Sequence, residues 1–265
     1  MIECVVNISE GRDSTVLAEL DVAAGDALLD RHSDPDHHRS VFTLVGEEAP
    51  RALASITVQR LDLRGHHGAH PRIGVVDVVP FVPLGSSTPD DARRARDAYA
   101  VWSASSLSVP CFLYGPERTL PEVRRNAFTN LPPDHGPPRP HPTAGATAAG
   151  QRGLMVAYNV DLAEPDLELA RETARAVRSP LVRALGLRVG DRVQVSMNLI
   201  APREVRPDQA FDAVAALAPV AGAELVGLMP SEVLSAIPAH RWAELDLSDE
   251  RTIEARLEGR GWRLD

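Results

Sequence analysis

The feature that most constrains the fold is an alternation of short apolar, β-branched runs with longer helical patterns. Such alternation is typical of α/β or α+β folds in which helices cover a sheet. The predicted strands are Ile2–Ile8, Ala27–Asp30, Ser40–Val45, Val75–Val82, Val109–Tyr114, Leu154–Val160, Val193–Leu199 and Glu224–Leu228. The predicted helices are Ser14–Ala24, Ala49–Leu61, Pro89–Leu107, Pro121–Leu131, Asp166–Arg178, Asp208–Ala218 and Ser231–Ile237.

One segment interrupts the alternation. Residues 131–150 read LPPDHGPPRPHPTAGATAAG, with little periodicity and many Pro, Gly and Ala residues. A long segment without regular structure inside a compact protein is usually a linker or a functional loop. Its prolines restrict the backbone, and its glycines permit close approach to a ligand. The residues alone leave both interpretations open, and they predict a boundary just after the segment, between domains 1–152 and 153–265.

Composition and charge exclude several classes of protein. The chain has 265 residues, 44% apolar and 25% charged, as expected of a globular protein. Its net charge of -9 repels nucleic acid and anionic membranes, so a bound anion must meet a local basic site. There is no lysine, which excludes Schiff-base and P-loop lysine chemistry.

The compartment is predicted to be the cytoplasm. The opening MIECVVNISEGRD lacks the pattern of a secretory signal, and no apolar run approaches the roughly 18 residues that span a bilayer. Cys4 and Cys111 lie far apart in apolar runs, which predicts two buried, reduced cysteines. We therefore expect no membrane partner and no nucleic acid.

Histidines are concentrated in the first half of the chain. Eight of the nine fall between His32 and His141. They form one cluster in residues 30–39, a second in residues 65–72 and a third from His135 to His141. Each cluster adjoins the end of a predicted strand, where loops on a rigid sheet commonly carry reactive groups.

Three interpretations of these histidines compete. Exposed loops tolerate histidine without any function. A metal site could draw on His66, His67 and His70 with Asp34 or Asp36, although Gly68 and Pro71 argue against the helical spacing of a typical zinc motif. Acid–base catalysis by a neutral imidazole is the third, since an ordinary pKa of about 6.5 suits proton transfer near neutral pH.

Two arginines adjoin the histidine clusters. Arg39 and Arg72 are each next to a histidine-rich loop, and an arginine fork binds carboxylates through two hydrogen bonds. Either could be an ordinary solvated residue, but their joint position favours a site for an acidic substrate.

Several segments resemble one known family. The opening IECVVNISEGRD resembles ECVPNFSEG of glutamate formiminotransferases, and HHGAHPRIGVVDVVPFVPL resembles their H-x-G-x-HPR-x-G-x-x-DV-x-PF-x-P segment. DHGPPRPHPTAGATAAGQRGLMVAYNVDL resembles their FGP…GAT-x-x-G-x-R…FN-x-NL segment, and QVSMNL and AELVGLMPSEVL resemble their C-terminal segments. The matches occur in order and extend from about Ile2 to Leu234.

The resemblance implies an α/β (α+β) fold of two subdomains, each a β-sheet covered by helices, with a substrate tunnel between them and a homodimer. His70 matches the catalytic histidine, and Arg39 an arginine of the same pocket. Asn7, Ser9 and Glu10 match the N-terminal motif near the site, with Arg72 as a further substrate-binding candidate. The folate-binding segment corresponds to Gly136, Pro137, Pro138, Arg139, Pro140, His141, Pro142, Thr143, Ala144 and Gly145.

The chain departs from the family pattern at particular positions. His32 aligns with the catalytic aspartate and becomes a candidate catalytic residue, with Asp30, Asp34 and Asp36 close in sequence. Ala144 stands where vertebrate members carry tryptophan. Val6 and Ile8 replace the usual Pro and Phe, and the C-terminal subdomain is shorter than in vertebrate relatives.

The resemblance implies a stand-alone transferase that resembles the N-terminal part of formiminotransferase-cyclodeaminase. It would move a formimino group between N-formimino-L-glutamate and tetrahydrofolate, giving 5-formiminotetrahydrofolate and glutamate, in the one-carbon metabolism of histidine degradation. His70 would be the acid–base catalyst, and no metal is expected. The alternatives are formyl transfer or another amine or amidine on the same fold, a metal-dependent hydrolase, and a folate-binding module without catalysis.

Overall fold

The computed structural model describes residues 1–264 and divides them into two compact units, Met1–Arg152 with Leu264, and Gly153–Arg263. Each unit combines one β-sheet with helices, so the predicted α/β class is confirmed. Within residues 1–264, no helix has the length and apolar character needed to cross a membrane.

The first unit contains a six-stranded mixed sheet in the order β2-β3-β1-β4-β6-β5. Its strands are β1 (Ile2–Ile8), β2 (Leu28–Asp34), β3 (Arg39–Val45), β4 (Val76–Pro83), β5 (Cys111–Tyr114) and β6 (Thr147–Gln151). Its helices are α1 (Ser14–Ala24), α2 (Ala49–Arg60), α3 (Pro89–Ser106) and α4 (Leu120–Asn126). β1 pairs antiparallel with β3 and β4, whereas β6 runs parallel between β4 and β5.

The main core of this unit lies between the sheet and α1–α3. Cys4, Val6 and Ile8 alternate along β1 and are fully buried in one cluster with residues of these helices. Because successive side chains of a strand point to opposite faces, Asn7 projects from the other face of the sheet. Asn7 contacts Arg39 at the start of β3, beside the histidine-rich segments that precede β3 and β4.

The second unit contains a four-stranded antiparallel sheet in the order β10-β7-β9-β8. Its strands are β7 (Val156–Leu162), β8 (Val182–Val189), β9 (Arg192–Leu199) and β10 (Val220–Val226). Its helices are α5 (Leu167–Val177), α6 (Pro207–Ala215), α7 (Ser231–Ser235) and α8 (Ile253–Gly259). A separate apolar cluster fills this unit, with Tyr158, Val195 and Met197 at its centre.

Most elements begin or end a few residues from their predicted bounds, and β10 begins four residues earlier, at Val220. β2 continues to Asp34, so His32 lies in a strand rather than in a loop. β6 begins inside the segment predicted to lack regular structure, because small residues fit a fully buried parallel strand. The prediction missed β8, whose exposed arginines hide the alternation, and the short α8. α4 ends at Asn126 instead of Leu131.

Both cysteines are buried and unbridged, as predicted. Burial raises the pKa of Cys111 to about 12 and raises that of Cys4 well above its ordinary value. Neither thiol is ionised at neutral pH, so neither is a nucleophile.

Candidate active site

The first two histidine clusters meet around the side chain of Arg72. Its Nη1 donates to the carbonyl of His38 at 3.1 Å, and its Nη2 to that of His37 at 3.0 Å. Nε and Nη2 both donate to the carbonyl of His70, at 3.1 and 2.8 Å. Arg72 therefore ties the loop before β4 to the turn between β2 and β3.

The remaining donor of Arg72 faces His66. Nη1 lies 2.7 and 2.8 Å from the two ring nitrogens of His66, and that ring stacks on His38 with centroids 4.1 Å apart. Burial and the Arg72 charge lower the pKa of His66 to about 4, and burial lowers that of His38. With one N–H from Nε and two from each Nη, every donor of Arg72 has a partner. A carboxylate contact for Arg72 stays a prediction.

Glu10 and Ser9 hold backbone beside this junction. Oε1 of Glu10 accepts hydrogen bonds from the backbone N–H groups of Gly11 at 2.8 Å, Arg12 at 2.7 Å and Asp13 at 3.0 Å. Ser9 Oγ donates to the carbonyl of Gly74 at 2.8 Å. Both side chains are buried. Their observed contacts fix the start of α1 and the approach to β4, and substrate contacts for them stay predictions.

Arg39 is the central side chain of the site. Its Nε and Nη2 donate to Oδ1 of Asn7 at 3.0 and 2.7 Å. Its Nη1 lies 3.1 Å from Oδ2 of Asp77 and 2.7 Å from Nδ1 of His70. Desolvation, only partly offset by Asp77, lowers the pKa of Arg39 to about 10, which leaves the guanidinium charged at neutral pH. The structure thus brings together three of the predicted residues, Asn7, Arg39 and His70.

Asp77 and Arg124 complete the cluster, and the sequence prediction missed both. Asp77 is fully buried, and its Oδ2 accepts from Arg124 Nη2 at 2.6 Å. Arg124 Nη1 also donates to the carbonyl of Pro71 at 2.7 Å. A carboxylate in the otherwise apolar run Val75–Val82 was a usable signal for Asp77, because buried acids are almost always paired. Arg124, on a helix of ordinary polarity, gave no such signal.

His70 is half-buried, and its surroundings disfavour the charged imidazolium. Burial and the Arg39 charge lower its pKa well below the ordinary value, so the ring is neutral at pH 7. Its Nδ1 lies 2.7 Å from Arg39 and 2.8 Å from the carbonyl of Pro71. Because both partners engage Nδ1, Nε2 is the nitrogen left to meet a substrate.

His32 does not join this cluster through any of these contacts. It lies in β2 opposite Val41 of β3, whereas the partners of His70 come from β3, the neighbouring Pro71 and, through a ring contact of 6.2 Å, from His37. Asp34 Oδ1 accepts from the backbone of Asp36 and His37 at 2.8 and 2.7 Å, which closes the turn. A role for His32 in orienting His70 stays a prediction.

The segment 136–145 ends in a tight backbone ring. His141 N donates to the carbonyl of Gly145 at 2.8 Å, and Gly145 N returns the bond at 3.0 Å. Gly145 has φ of +73°, and a Cβ there would lie 2.3 Å from the carbonyl of Ile73. Residues 136–140 are exposed, whereas Ala144 and Gly145 are buried. The glycine is therefore required where this segment packs against the backbone leading into β4.

A cleft of about 360 Å³ opens beside this ring. It is lined by Leu63, Arg64, Ile73, Arg124, Ala127, Phe128, Pro140, His141, Pro142 and Gly145. Its walls are mostly apolar, with one aromatic ring and two arginines, a composition common in small-molecule sites. Arg124 connects it to the cluster around His70, because the same guanidinium binds Asp77 and the Pro71 carbonyl.

The histidine clusters do not converge as metal ligands. Throughout the part of the chain that the structure describes, no group of three or more His, Cys, Asp or Glu side chains is placed to hold a metal ion. Two of the histidines that a metal site would need, His66 and His70, instead contact arginines.

Comparisons with known proteins point to one family. A model described as the formiminotransferase domain, N-terminal subdomain, matches residues 1–152. A glutamate formimidoyltransferase of Streptococcus pyogenes is 34% identical, and the match covers 88% of this chain and 90% of the relative. One of Thermoplasma acidophilum is 31% identical, and the match covers 97% of this chain and 96% of the relative. A formimidoyltransferase-cyclodeaminase of Sus scrofa is 33% identical, and the match covers 51% of that protein.

Proposed function

This chain belongs to the formiminotransferase family, and we propose that it moves a formimino group between N-formimino-L-glutamate and tetrahydrofolate. The chain is a transferase, since relatives named glutamate formimidoyltransferase match it over nearly their whole length. The observation that carries the proposed mechanism is the neutral, half-buried His70, held through Nδ1 by Arg39 and the Pro71 carbonyl. Arg124, which binds the same carbonyl, lines the cleft of the 136–145 segment.

The reaction joins the formimino carbon to N5 of tetrahydrofolate and breaks its bond to the glutamate nitrogen. His70 Nε2 accepts the proton that N5 loses and delivers it to the glutamate nitrogen, which leaves as a neutral amine. Such proton transfers contribute on the order of 100- to 10,000-fold in rate. Arg39 stays charged and fixed by Asn7 and Asp77, so it orients the imidazole and limits its basicity.

Tetrahydrofolate is the co-substrate, and the 136–145 segment is its proposed binding site. A cleft of about 360 Å³ lies within the size range of small-molecule sites. Phe128 offers an aromatic surface for a flat ring, and Arg64 and Arg124 offer charge for a carboxylate. The close packing at Gly145 leaves the cleft beside the loop that carries His70.

Four further expectations extend the proposal. Subdomains 1–152 and 153–265 are supported by the two compact units, which divide after Arg152. A cytoplasmic location is supported by two unbridged cysteines, since disulfides are typical of oxidising compartments. A homodimer and a role in histidine degradation follow from the sequence resemblance. Sedimentation equilibrium would test the dimer.

The deciding experiment is a formimino-transfer assay on wild type, His70→Gln and His67→Gln. His67 is exposed in the same loop and serves as the matched control. We expect His70→Gln to lower kcat by at least 100-fold and His67→Gln to leave it unchanged. Loss of activity in both variants together with sensitivity to a chelator would instead favour the metal-dependent hydrolase.

Substrate exchange separates the remaining alternatives. If wild type binds tetrahydrofolate but does not use N-formimino-glutamate, formyl-glutamate and other amidines are the next donors to assay. Turnover with one of them would replace the formimino donor while keeping the fold and the folate site. Folate binding without turnover of any donor would favour the remaining alternative, a folate-binding module without catalytic activity.

A further inference from the structure

His70 lies on a loop without regular structure between the end of α2 and β4, so other residues must hold its ring. The partners of its Nδ1 make opposite demands. Arg39 can only donate, and the Pro71 carbonyl can only accept. A protonated Nδ1 can donate to the Pro71 carbonyl, whereas an unprotonated Nδ1 can accept from Arg39. The residues that hold these two partners therefore influence the protonation of the ring.

Asp77 and Arg124 are those residues. Asp77 Oδ2 accepts from Arg39 Nη1 at 3.1 Å and from Arg124 Nη2 at 2.6 Å. Arg124 Nη1 donates to the Pro71 carbonyl at 2.7 Å. A second oxygen of Asp77, Oδ1, accepts from the backbone of Ile73 at 2.8 Å and so anchors the loop itself. One buried carboxylate thus links both partners of Nδ1 to the loop that carries the ring.

The charges of this pair act on His70 in opposite directions. When Nε2 accepts a proton, the imidazolium lies against the Arg39 charge, and Arg124 adds a second repulsive cation. Asp77 offsets part of that repulsion because its carboxylate touches both guanidiniums. The other groups near His70 are His37, whose ring centroid is 6.2 Å away, and Arg72, which binds the His70 carbonyl.

We propose that Asp77 and Arg124 are positioning residues for His70: they hold Arg39 and the Pro71 carbonyl against Nδ1, and their opposite charges set how readily Nε2 exchanges a proton. This rests on the proposed function insofar as His70 carries the proton of the transfer. Asp77 makes His70 basic enough to accept that proton, and Arg124 keeps the ring neutral before it does.

The test compares Asp77→Asn with Arg124→Gln. The measurement is kcat/KM as a function of pH, whose low-pH limb reports protonation of His70. Removing the carboxylate charge disfavours the imidazolium, so in Asp77→Asn this limb moves to lower pH. Removing the Arg124 charge favours the imidazolium, so in Arg124→Gln the limb moves to higher pH. Each shift should be on the order of one pH unit. The double variant changes no net charge and should return the limb close to its wild-type position while kcat stays reduced.

The surface ion pair of Glu19 and Arg60 provides matched controls. Both side chains are more than 40% exposed and belong to α1 and α2, which cover the other face of the sheet. Glu19→Gln and Arg60→Gln remove the same charges and should leave the limb in place. Reduced activity in Asp77→Asn and Arg124→Gln with an unmoved limb, or shifts in the same direction, would overturn the proposal and leave a purely structural role.

A measurement without substrate separates this proposal from the identity of the reaction. The ¹⁵N and ¹³C signals of His70, assigned with His70→Gln, report the protonation of the ring in the free protein across pH. The same opposite displacements are expected there even if the donor is not N-formimino-glutamate. If Asp77→Asn does not fold, Arg124→Gln still decides, because its limb and its ring signals must both move to higher pH.

Discussion

The two units differ in how many ionisable side chains they bury. In the first unit, Glu3, Glu10, His37, Asp77 and Arg96 are all less than 9% exposed. In residues 153–263, which the structure describes completely, Asp208 is the corresponding case. Burying an ionised group costs several kcal/mol unless partners replace its water, so the three carboxylates and the guanidinium among these side chains need an organised set of contacts. The first unit therefore depends on polar contacts inside its fold, whereas the second combines an apolar core with charge that is mostly at its surface.

The largest expected difference is between Asp77→Ala and Asp208→Ala. Asp77 is buried between two arginines, and its loss leaves them without their shared anion, at a cost of about 3 to 5 kcal/mol. Asp208 is also buried, but its arginine partner Arg206 is 26% exposed and regains water when the carboxylate is removed, so its loss should cost less, about 1 to 2 kcal/mol. Urea unfolding, with hydrogen exchange followed separately in each unit, measures both. Equal costs would remove the distinction between the units.

A second contrast uses glycines. Gly145→Ala forces a left-handed φ and a contact of 2.3 Å with the Ile73 carbonyl, which should destabilise the first unit by about 2 kcal/mol or more. Gly222→Ala in β10 meets nothing within 4 Å and has no positive φ. It should be neutral or stabilising by up to about 1 kcal/mol. Thermal unfolding and tetrahydrofolate binding of the two variants give the comparison, and unaltered binding in Gly145→Ala would contradict it.

Acid should act mainly on the first unit. Folding lowers the pKa of His66 to about 4 from an ordinary value near 6.5, so the unfolded chain binds more protons between these values. The contribution of His66 to the free energy of unfolding is therefore fully present above pH 6.5 and is lost as the pH drops towards 4. For a partly exposed ring this loss is on the order of 1 kcal/mol. His66→Gln should flatten this dependence, as followed by urea unfolding at pH 7 and pH 5. A variant with the wild-type slope would assign the acid sensitivity elsewhere.

The smallest effect is expected at the surface of the second unit. Arg203 pairs with Glu232, and both side chains are about half or more exposed. Arg203→Gln should change the free energy of unfolding by less than about 1 kcal/mol, with no change in transfer activity. A loss of activity in this variant would show that chemistry is not confined to the first unit.

The sequence predicted most elements because their cores follow simple periods. Ile2–Ile8 and Ser14–Ala24 were predicted with the observed bounds, since an apolar run and a helical pattern define them. β6 and β8 were missed for opposite reasons. β6 is made of small residues that pack only because neighbouring strands lie on both sides, and β8 carries arginines that weaken its apolar pattern.

The sequence predicted individual residues of the site but not the hydrogen bonds between them. Residue type and resemblance singled out His70, Arg39 and Asn7, which the fold brings together. Residue type and resemblance could not reveal that Arg72 donates all its hydrogen bonds to loop carbonyls and to His66, because every residue has a backbone carbonyl and the sequence does not show which one is the partner. Arg124 was out of reach for a similar reason, since a salt bridge across 47 positions depends on the tertiary fold.

The position of β6 has a consequence for how the chain matures on the ribosome. β6 is the last strand of its sheet to be synthesised, yet it lies between β4 and β5. Until it emerges, both of those strands keep an unpaired edge, and such edges promote aggregation. Its insertion also closes the bridge between Gly74 and Gly145, beside the loop that carries His70. The sheet therefore reaches its full pairing, and the 136–145 segment its place beside the loop that carries His70, only after the last strand of the first unit has been synthesised.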